Sequence, residues 1–535
     1  MPLTRQQGVQ SLQRAASASS GRAGGEVSLA SSALWLVIAK TAAAAFNIAV
    51  PLLLVRLLTV REFGVYKQLF LLLDTALVIL PLGFALSAFY FFPREPSRKA
   101  QIVSHIVLVY VLVGGLGALL VAGFPALPAA LLNTRDLAAY APILGLAMVL
   151  WVGSSFIEFV AIANGEARLA ALVVLGMQLL RSGLLVAAGA VFASVRALAV
   201  AAVVCGVLQS AVVFWYVRTR FSDTRQRVDW GLMRAQLVYA LPLAYAGLFW
   251  WLQGFVHHYF VSYRFGAAAY AVYAVGCFQL PIVNIVHESV GSVVIRRVSE
   301  LRRLGETREL VRLATQTVRT LAAFAFPVYA LLLVTGREFI TVLFTRQYLA
   351  SWPIFAVNLT LIPLAIVAPI CDAVFRACPE ELPFFIKART VLAVPLLAGL
   401  WIATARYSLV GAVAVVVGVT LLERLVLAVR AARVLGLSWR DLGRFGDVAR
   451  LGGVAGIAGV ATYITRGVLI ASGLAAPLAL LIICTGVFAV VCVAAVFLFR
   501  VPTPEERNAV RQWLTHLHQV VPWRSAADAI GPGGA

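Results

Sequence analysis

The chain has 535 residues, of which 61% are hydrophobic and 13% are charged. Soluble proteins carry about 25% charged and about 45–50% apolar residues, so this composition indicates a membrane protein and excludes a soluble enzyme. The formal net charge of +21 arises from 44 Lys and Arg residues against 23 Asp and Glu residues. Such basicity is typical of proteins that bind nucleic acid or a membrane surface, and the apolar composition favours the membrane over nucleic acid.

A membrane-spanning helix needs roughly 20 mainly apolar residues. On this criterion the sequence predicts an all-α polytopic membrane protein with 14 transmembrane helices. The predicted spans are 31–55, 68–92, 101–124, 138–163, 168–192, 197–217, 237–261, 267–295, 318–342, 352–375, 384–404, 408–429, 451–472 and 477–499. The first apolar stretch is too long for a signal-peptide core, so we expect an uncleaved first span.

The distribution of Lys and Arg predicts how the spans are oriented. The N-terminal tail, every second loop and the C-terminal tail together hold 31 of the 44 Lys and Arg residues, whereas the opposite loops hold 10. Because basic loops remain in the cytoplasm, both termini are predicted to be cytoplasmic. The opposite loops have at most about 15 residues, which leaves no room for an external catalytic or receptor domain.

A short internal repeat suggests that the chain has two related halves. Phe63-Gly64-Val65-Tyr66 matches Tyr270-Ala271-Val272-Tyr273 at an offset of 207 residues, which equals six spans and a linker. The predicted organisation is an N-terminal cytoplasmic tail at 1–30, an N-lobe of six spans at 31–217, a cytoplasmic linker at 218–236, a C-lobe of six spans at 237–435, two further spans within 450–500 and a cytoplasmic tail at 501–535.

Motifs for nucleotide binding and for enzyme chemistry are missing from the sequence. It contains no G-x-x-x-x-G-K-[ST] phosphate loop and no G-x-S-x-G nucleophile motif. The six cysteines form no C-x-x-C pair, and no histidine stands at the spacing of a metal ligand. The sequence therefore predicts no catalytic residue, metal or cofactor.

Ionisable and polar residues inside the predicted spans are the candidate functional groups. A charge at the bilayer centre costs about 2.5–3.5 kcal/mol on insertion scales, so such residues indicate either a function or a structural partner. The candidates for substrate binding are Lys40, Asn47, Arg181, Gln253, His257 and Asn284. The candidates for proton or ion coupling are Asp74, Glu158, His287 and Glu288.

Helical spacing groups several of these candidates on common faces. Asn284, His287 and Glu288 lie at positions i, i+3 and i+4 of the eighth span, and Gln253 and His257 lie at i and i+4 of the seventh. These faces predict a shared polar cavity, in which histidines could carry protons. The alternative for each charged residue is a buried ion pair or a side chain that reaches the interface.

The stretch from Pro51 to Tyr66, which contains Arg56, Glu62 and Gly64, is followed in the second span by Gly83 and by Tyr90-Phe91-Phe92-Pro93. It resembles the opening of the polysaccharide-biosynthesis (Wzx-type) oligosaccharide flippases of the MOP (MATE-like) transporter superfamily. The number of spans, the short loops and the aromatic-rich segment 344–348 extend this likeness. The resemblance carries over Arg56, Glu62, Gly64 and Tyr66 as a family motif of unknown role.

The resemblance implies a two-lobed transporter with a cationic cavity. Its substrate would be a polyprenyl-pyrophosphate-linked oligosaccharide, moved across the bacterial inner membrane by alternating access for capsule, exopolysaccharide or O-antigen biosynthesis. The implied partners are this substrate, a proton or sodium ion, membrane lipids and other polysaccharide assembly proteins. A pyrophosphate needs cations along its path, and Lys40 and Arg181 could supply them.

Two other functions remain open. A MATE-type drug/cation antiporter would share the fold but should bind cations through carboxylates such as Asp74 and Glu158, while Lys40 opposes this function. A membrane glycan polymerase or ligase normally needs a sizeable external loop, which the sequence lacks.

Overall fold

A computed structural model describes residues 40–43, 45–221, 228–406, 408–436, 443 and 445–499. The predicted N-terminal tail, the start of the first predicted span, part of the predicted linker and the predicted C-terminal tail lie outside the described residues. Within the described ranges all regular secondary structure is helical.

Nineteen helices follow one another along the described chain. The first nine are α1 Lys40–Leu57, α2 Val60–Ile79, α3 Ser87–Arg94, α4 Lys99–Gly123, α5 Ala126–Leu131, α6 Asp136–Ser154, α7 Ile157–Ala163, α8 Ala167–Phe192 and α9 Val195–Arg220. The others are α10 Trp230–Gly276, α11 Pro281–Leu304, α12 Thr307–Phe344, α13 Trp352–Leu359, α14 Leu361–Leu364, α15 Ala368–Ala377, α16 Leu382–Arg406, α17 Leu409–Val434, α18 Gly446–Ala471 and α19 Pro477–Leu498. Short 3₁₀ turns connect some of them, such as Phe84–Leu86 before α3.

The described helices provide 13 segments that are long and apolar enough to cross a membrane. A fourteenth is present if the bent pair Trp251–Gly276 and Pro281–Leu304, which meet at 53°, counts as one span. The predicted all-α polytopic membrane fold is therefore confirmed. The boundary predicted between spans 7 and 8 falls at Gly266, where a φ of 74° interrupts α10 in a conformation that favours glycine.

Side-chain caps explain where several helices begin. Thr59 precedes α2 and forms a capping box with Glu62, whose backbone N–H donates to the Thr59 hydroxyl and whose carboxylate accepts from the Thr59 N–H at 3.0 Å. Asp229 caps α10 by accepting a hydrogen bond from Leu232 N–H at 3.0 Å. These caps satisfy N–H groups that have no partner within the helix.

The chain forms two compact units. The first comprises Met1–Val286, Ile340–Asn358 and Pro379–Val426, and the second comprises His287–Phe339, Leu359–Cys378 and Leu427–Ala535. In the first unit, fully buried aromatic and aliphatic residues of α3, α4, α7 and α9 form a core that includes Phe92, Ile102, Ile106 and Tyr216. The division into lobes at 218–236 stays a prediction.

The second unit joins α12 to α18 through a buried ion pair. Arg466 donates to one carboxylate oxygen of Glu338 from both Nε at 3.0 Å and Nη2 at 2.6 Å. Nearby, Arg319 of α12 lies 3.8 Å from Asp447 of α18. Two charged contacts therefore attach the penultimate helix to this unit.

Candidate functional site: an intramembrane cavity in the first unit

A cavity of about 270 Å³ lies inside the first unit, among α1, α2, α8 and α10. The cavity is lined by polar side chains that cluster at mid-span positions of apolar helices. These polar residues are Asn47, Tyr66, Lys67, Asp74, Gln178, Arg181, Ser182, His258 and Tyr270. A polar pocket inside a helix bundle is costly to form, so it indicates a binding function.

The charges of the cavity do not balance. Lys67 and Asp74 lie seven residues apart on α2, which places them on one face two turns apart. Asp74 interacts electrostatically with both Lys67 and Arg181. Two cations therefore share one carboxylate, and the cavity is a candidate site for an anionic group.

Aromatic rings hold both cations in place. The Arg181 guanidinium lies 4.2 Å from the centroid of the Trp151 ring and 5.4 Å from that of Phe70. The Lys67 ammonium lies 5.7 Å from the Phe63 ring centroid. Because aromatic faces attract cations without accepting their N–H groups as a carboxylate does, these ring contacts leave N–H donors of both side chains available to a ligand.

A second cavity of about 190 Å³ adjoins the first in the same unit. Gln178 and Arg181 line both cavities, and Glu158 lines only the second. Glu158 also pairs with Lys40, with 2.6 Å between Oε1 and Nζ. The negative charge of Glu158 therefore balances the positive charge of Lys40.

The four residues of the predicted family motif have separate contacts. Arg56 donates to the backbone oxygen of Val342 at 2.7 Å, close to the end of α12, and Glu62 completes the cap of α2. A methyl group at Gly64 would lie 1.9 Å from the backbone oxygen of Ala267, so α2 and α10 touch at their backbones. Tyr66 alone lines the cavity. Three motif residues thus position helices and one faces the site.

The aromatic-rich segment 344–348 lies beside this motif. The ring of Tyr348 packs edge-on against Phe63 with 5.8 Å between centroids, and Phe344 packs against Phe278 at 5.3 Å. The segment 344–348 and the stretch from Pro51 to Tyr66, which are far apart in the sequence, therefore pack against each other in the first unit.

The structure brings some of the predicted binding residues together. Asn47 and Arg181, together with the proposed coupling residue Asp74, line the first cavity. Lys40 is paired with Glu158 and does not contribute to this lining. The assignment of Lys40 to substrate binding stays a prediction.

The predicted residues of α10 and α11 have other neighbours. Gln253 donates to Glu423 at 2.8 Å, and His257 is buried with Nδ1 2.7 Å from the Tyr273 hydroxyl. Asn284 is exposed, as are Glu288 and, in part, His287 of the second unit. Their proposed roles in binding and coupling stay predictions.

Sequence reasoning missed Lys67 and His258 as members of the cavity. The predicted second span begins at residue 68 and so leaves out Lys67, whereas in the structure Lys67 is the eighth residue of α2. Its position directly after Tyr66 and seven residues before Asp74 was the available signal. Among the described residues, no group of three or more His, Cys, Asp or Glu side chains could hold a metal ion.

These features define the class of the protein. An all-helical chain with 13 or 14 candidate spans and a charged cavity within the bundle is a multi-pass membrane protein with the architecture of a transporter. Residues 53–353, more than half of the chain, match the family described as polysaccharide biosynthesis protein, and the chain belongs to this family. No significant match occurs among curated protein sequences.

Solved structures share the fold at low sequence identity. The lipid II flippase MurJ in an inward closed conformation is similar with a TM-score of 0.68 and 14% identity, covering 87% of this chain and 98% of that one. An inward-facing multidrug resistance MATE family transporter of the MOP superfamily has a TM-score of 0.59 and 12% identity, covering 74% and 94%. The chain therefore shares the fold of these two proteins, and together with the family match this confirms the predicted resemblance.

Proposed function

We propose that the protein translocates a polyprenyl-pyrophosphate-linked oligosaccharide across the bacterial inner membrane for surface polysaccharide biosynthesis. The observation that carries this proposal is the cavity in which Lys67 and Arg181 outnumber Asp74. A pyrophosphate cannot enter the hydrocarbon core of the membrane without partners for its negative charges. In the cavity, Lys67 and Arg181 offer it charge-assisted hydrogen bonds, and neighbouring amide and hydroxyl groups offer further hydrogen bonds. The family assignment supports the link to polysaccharide, and similarity to a lipid II flippase supports a lipid-linked substrate.

The substrate is proposed to divide between two environments. Its prenyl chain stays in the bilayer, because an apolar chain is more stable among lipid tails than in a polar cavity. Its charged head group enters the cavity. Asn47, Gln178 and Ser182 add neutral hydrogen-bonding groups beside the two cations. Neutral groups of this kind suit an oligosaccharide, since they bind hydroxyls without holding them as tightly as charges would.

We infer that the family's cycle of alternating access is coupled to a proton or a sodium ion. Asp74 is the best-placed coupling group because it shares the cavity with both cations. Glu158, His287 and Glu288 are further candidates. The membrane is proposed to be the bacterial inner membrane, with both termini in the cytoplasm, and other polysaccharide assembly proteins are proposed partners.

The test is glycan export in a strain that lacks the gene and is complemented with variants at matched protein levels. Removing one charge-assisted contact costs about 1.5–3 kcal/mol, so Lys67→Ala and Arg181→Ala should each reduce export roughly tenfold or more. Lys67→Arg should be milder because the charge is kept. Lys387→Ala is the matched control, because Lys387 is exposed and outside the cavity.

A drug/cation antiporter is the second candidate, and the carboxylate of Asp74 in the cavity favours it. Such a protein should tolerate or benefit from the loss of Lys67, since a cation in the cavity repels a cationic substrate. Full glycan export by both Lys67→Ala and Arg181→Ala, or drug resistance without any glycan phenotype, would replace the flippase proposal with the antiporter.

A further inference from the structure

Arg181 is one of the two cations of the proposed anion site, and its guanidinium lies on the indole of Trp151, 4.2 Å from the ring centroid. Arg181 lines both cavities of the first unit, whereas Trp151 lines only the second. The indole is therefore outside the lining of the first cavity, in which the anion is proposed to bind. Any effect of this ring on a bound anion must act through Arg181.

The indole of Trp151 is held in position by two neighbouring helices. Its Nε1–H donates to the backbone oxygen of Ala202 in α9 at 2.8 Å. The ring of Phe70 in α2 packs edge-on against it, with 6.0 Å between the ring centroids. Trp151 is only 4% exposed, so the close packing around it leaves the ring little room to turn. The helices α2 and α9 thus fix an aromatic face of α6 beneath the guanidinium of α8.

Gly206 makes this position of the indole possible, because α9 passes the ring there without a side chain. A methyl group at Gly206 would lie 2.8 Å from Cδ1 and 3.1 Å from Nε1 of Trp151. It would also lie 2.8 Å from Cβ of Leu150, the preceding residue of α6. Gly206 itself lines neither cavity. A side chain at this position would displace the ring without changing any residue that lines the first cavity.

We propose that Trp151 and Gly206 are positioning residues of the anion site, which hold the Arg181 guanidinium at the first cavity before the anion binds. An arginine side chain has several rotatable bonds, and ordering such a side chain during binding weakens an affinity about threefold to tenfold. A guanidinium already fixed on the indole avoids this loss. The inference rests on the proposed function, because it takes the first cavity to be a site for an anion.

The test is calorimetric binding of inorganic pyrophosphate to the purified full chain, at about 150 mM salt to weaken binding at surface arginines. Arg181→Ala should weaken pyrophosphate binding about tenfold or more. Trp151→Leu and Gly206→Ala should each weaken it about threefold to tenfold, because the guanidinium is no longer fixed. Trp151→Phe keeps a ring but loses the hydrogen bond to Ala202, so its affinity should lie between those of the wild type and Trp151→Leu.

Double variants separate positioning from a general disturbance of the fold. In the Arg181→Ala protein, Trp151→Leu and Gly206→Ala should have no further effect on pyrophosphate binding, because the side chain that they position is gone. In the Lys67→Ala protein, which lacks the other cation instead, each should still weaken binding severalfold. A disturbed fold would weaken binding in both backgrounds.

Gly183→Ala is the matched control, because it adds the same methyl group two residues after Arg181, where nothing lies within 4 Å. It should leave pyrophosphate binding unchanged. Full binding by both Trp151→Leu and Gly206→Ala, or a weakening that persists in the Arg181→Ala protein, would overturn the inference while leaving the proposed function standing. If Arg181→Ala binds pyrophosphate as tightly as the wild type does, the anion site and the inference both fail.

Discussion

Lys67 and Lys40 show how neighbours decide what a charged residue can do. Both are lysines within apolar helices of the first unit, but Lys40 lies 2.6 Å from Glu158, whereas Lys67 faces the cavity beside aromatic rings. A lysine paired with a carboxylate at 2.6 Å offers an anion little net attraction, whereas a lysine that lies beside aromatic rings has N–H donors left for an anion. The proposed anion site therefore depends on Lys67 and Arg181.

Asp229 allows a test of pH dependence outside the membrane spans. Hydrogen bonds from Leu232 N–H and from Arg98 hold the pKa of the Asp229 carboxyl below its usual value. A pKa lowered in the folded state stabilises the protein above the unfolded pKa of about 3.9 and loses this effect as the pH falls through the folded value. We expect Asp229→Asn to unfold at a lower temperature than the wild type at pH 7. This difference should shrink as the pH falls toward the lowered pKa of Asp229, because the carboxyl then becomes protonated in the folded protein as well.

Thermal unfolding of the purified protein between about pH 3 and 7 measures this difference. Asp229→Glu is the control, because it keeps a carboxylate next to Arg98 while changing its length. A gap between wild type and Asp229→Asn that stays constant over the whole range would show that the carboxylate charge is not responsible.

At the scale of elements, the crossing of α2 and α10 depends on a missing side chain. A Cβ at Gly64 would lie 1.9 Å from the backbone oxygen of Ala267, and backbone cannot move aside as a flexible side chain can. We expect Gly64→Ala to destabilise the protein by about 1–3 kcal/mol, the usual cost of overpacking. Its thermal unfolding temperature in detergent should fall by several degrees.

Gly115→Ala provides the matched comparison, because a methyl group there meets nothing within 4 Å. In the interior of α4 this change should be neutral or stabilising by up to about 1 kcal/mol, since alanine favours the helix. Equal stability of the two variants would contradict the backbone contact between α2 and α10.

The ion pair of Glu338 and Arg466 attaches α18 to α12 in the second unit. The side chains are 8% and 17% exposed, so removing one partner leaves a nearly buried charge. We expect Arg466→Met to cost about 3–5 kcal/mol in thermal unfolding, and the double variant with Glu338→Gln to cost clearly less. If the double variant is as unstable as the sum of the single ones, the two charges do not interact.

At the scale of the whole molecule, transport should draw on an ion gradient, because the sequence contains no phosphate-binding loop. Proteoliposomes without ATP should translocate a lipid-linked oligosaccharide when a proton or sodium gradient is imposed. Asp74→Asn should uncouple transport from that gradient, since among the described residues that line the first cavity Asp74 is the only carboxylate. Transport that requires ATP and ignores both gradients would exclude this mechanism.

The sequence by itself determined the membrane fold, because a spanning helix is defined by local composition and every apolar run carries its own signal. The 14 predicted spans agree with the 13 or 14 candidates in the structure, and the motif around Gly64 indicated the family that residues 53–353 confirm. The same local information placed Asp74, Arg181 and Asn47 within spans.

Only the tertiary structure decided which of these residues meet. Spacing along one helix fixes which residues share a face but not which neighbouring helix that face contacts. Glu158 could therefore be matched with Lys40 only after α1 and α7 were placed together, and Gln253 with Glu423 only after α10 met α17. Lys67 lines the cavity because α8 and α10 bring Arg181 and His258 next to it, although both lie more than 100 residues further along the chain. Local sequence patterns carry no information over such a separation.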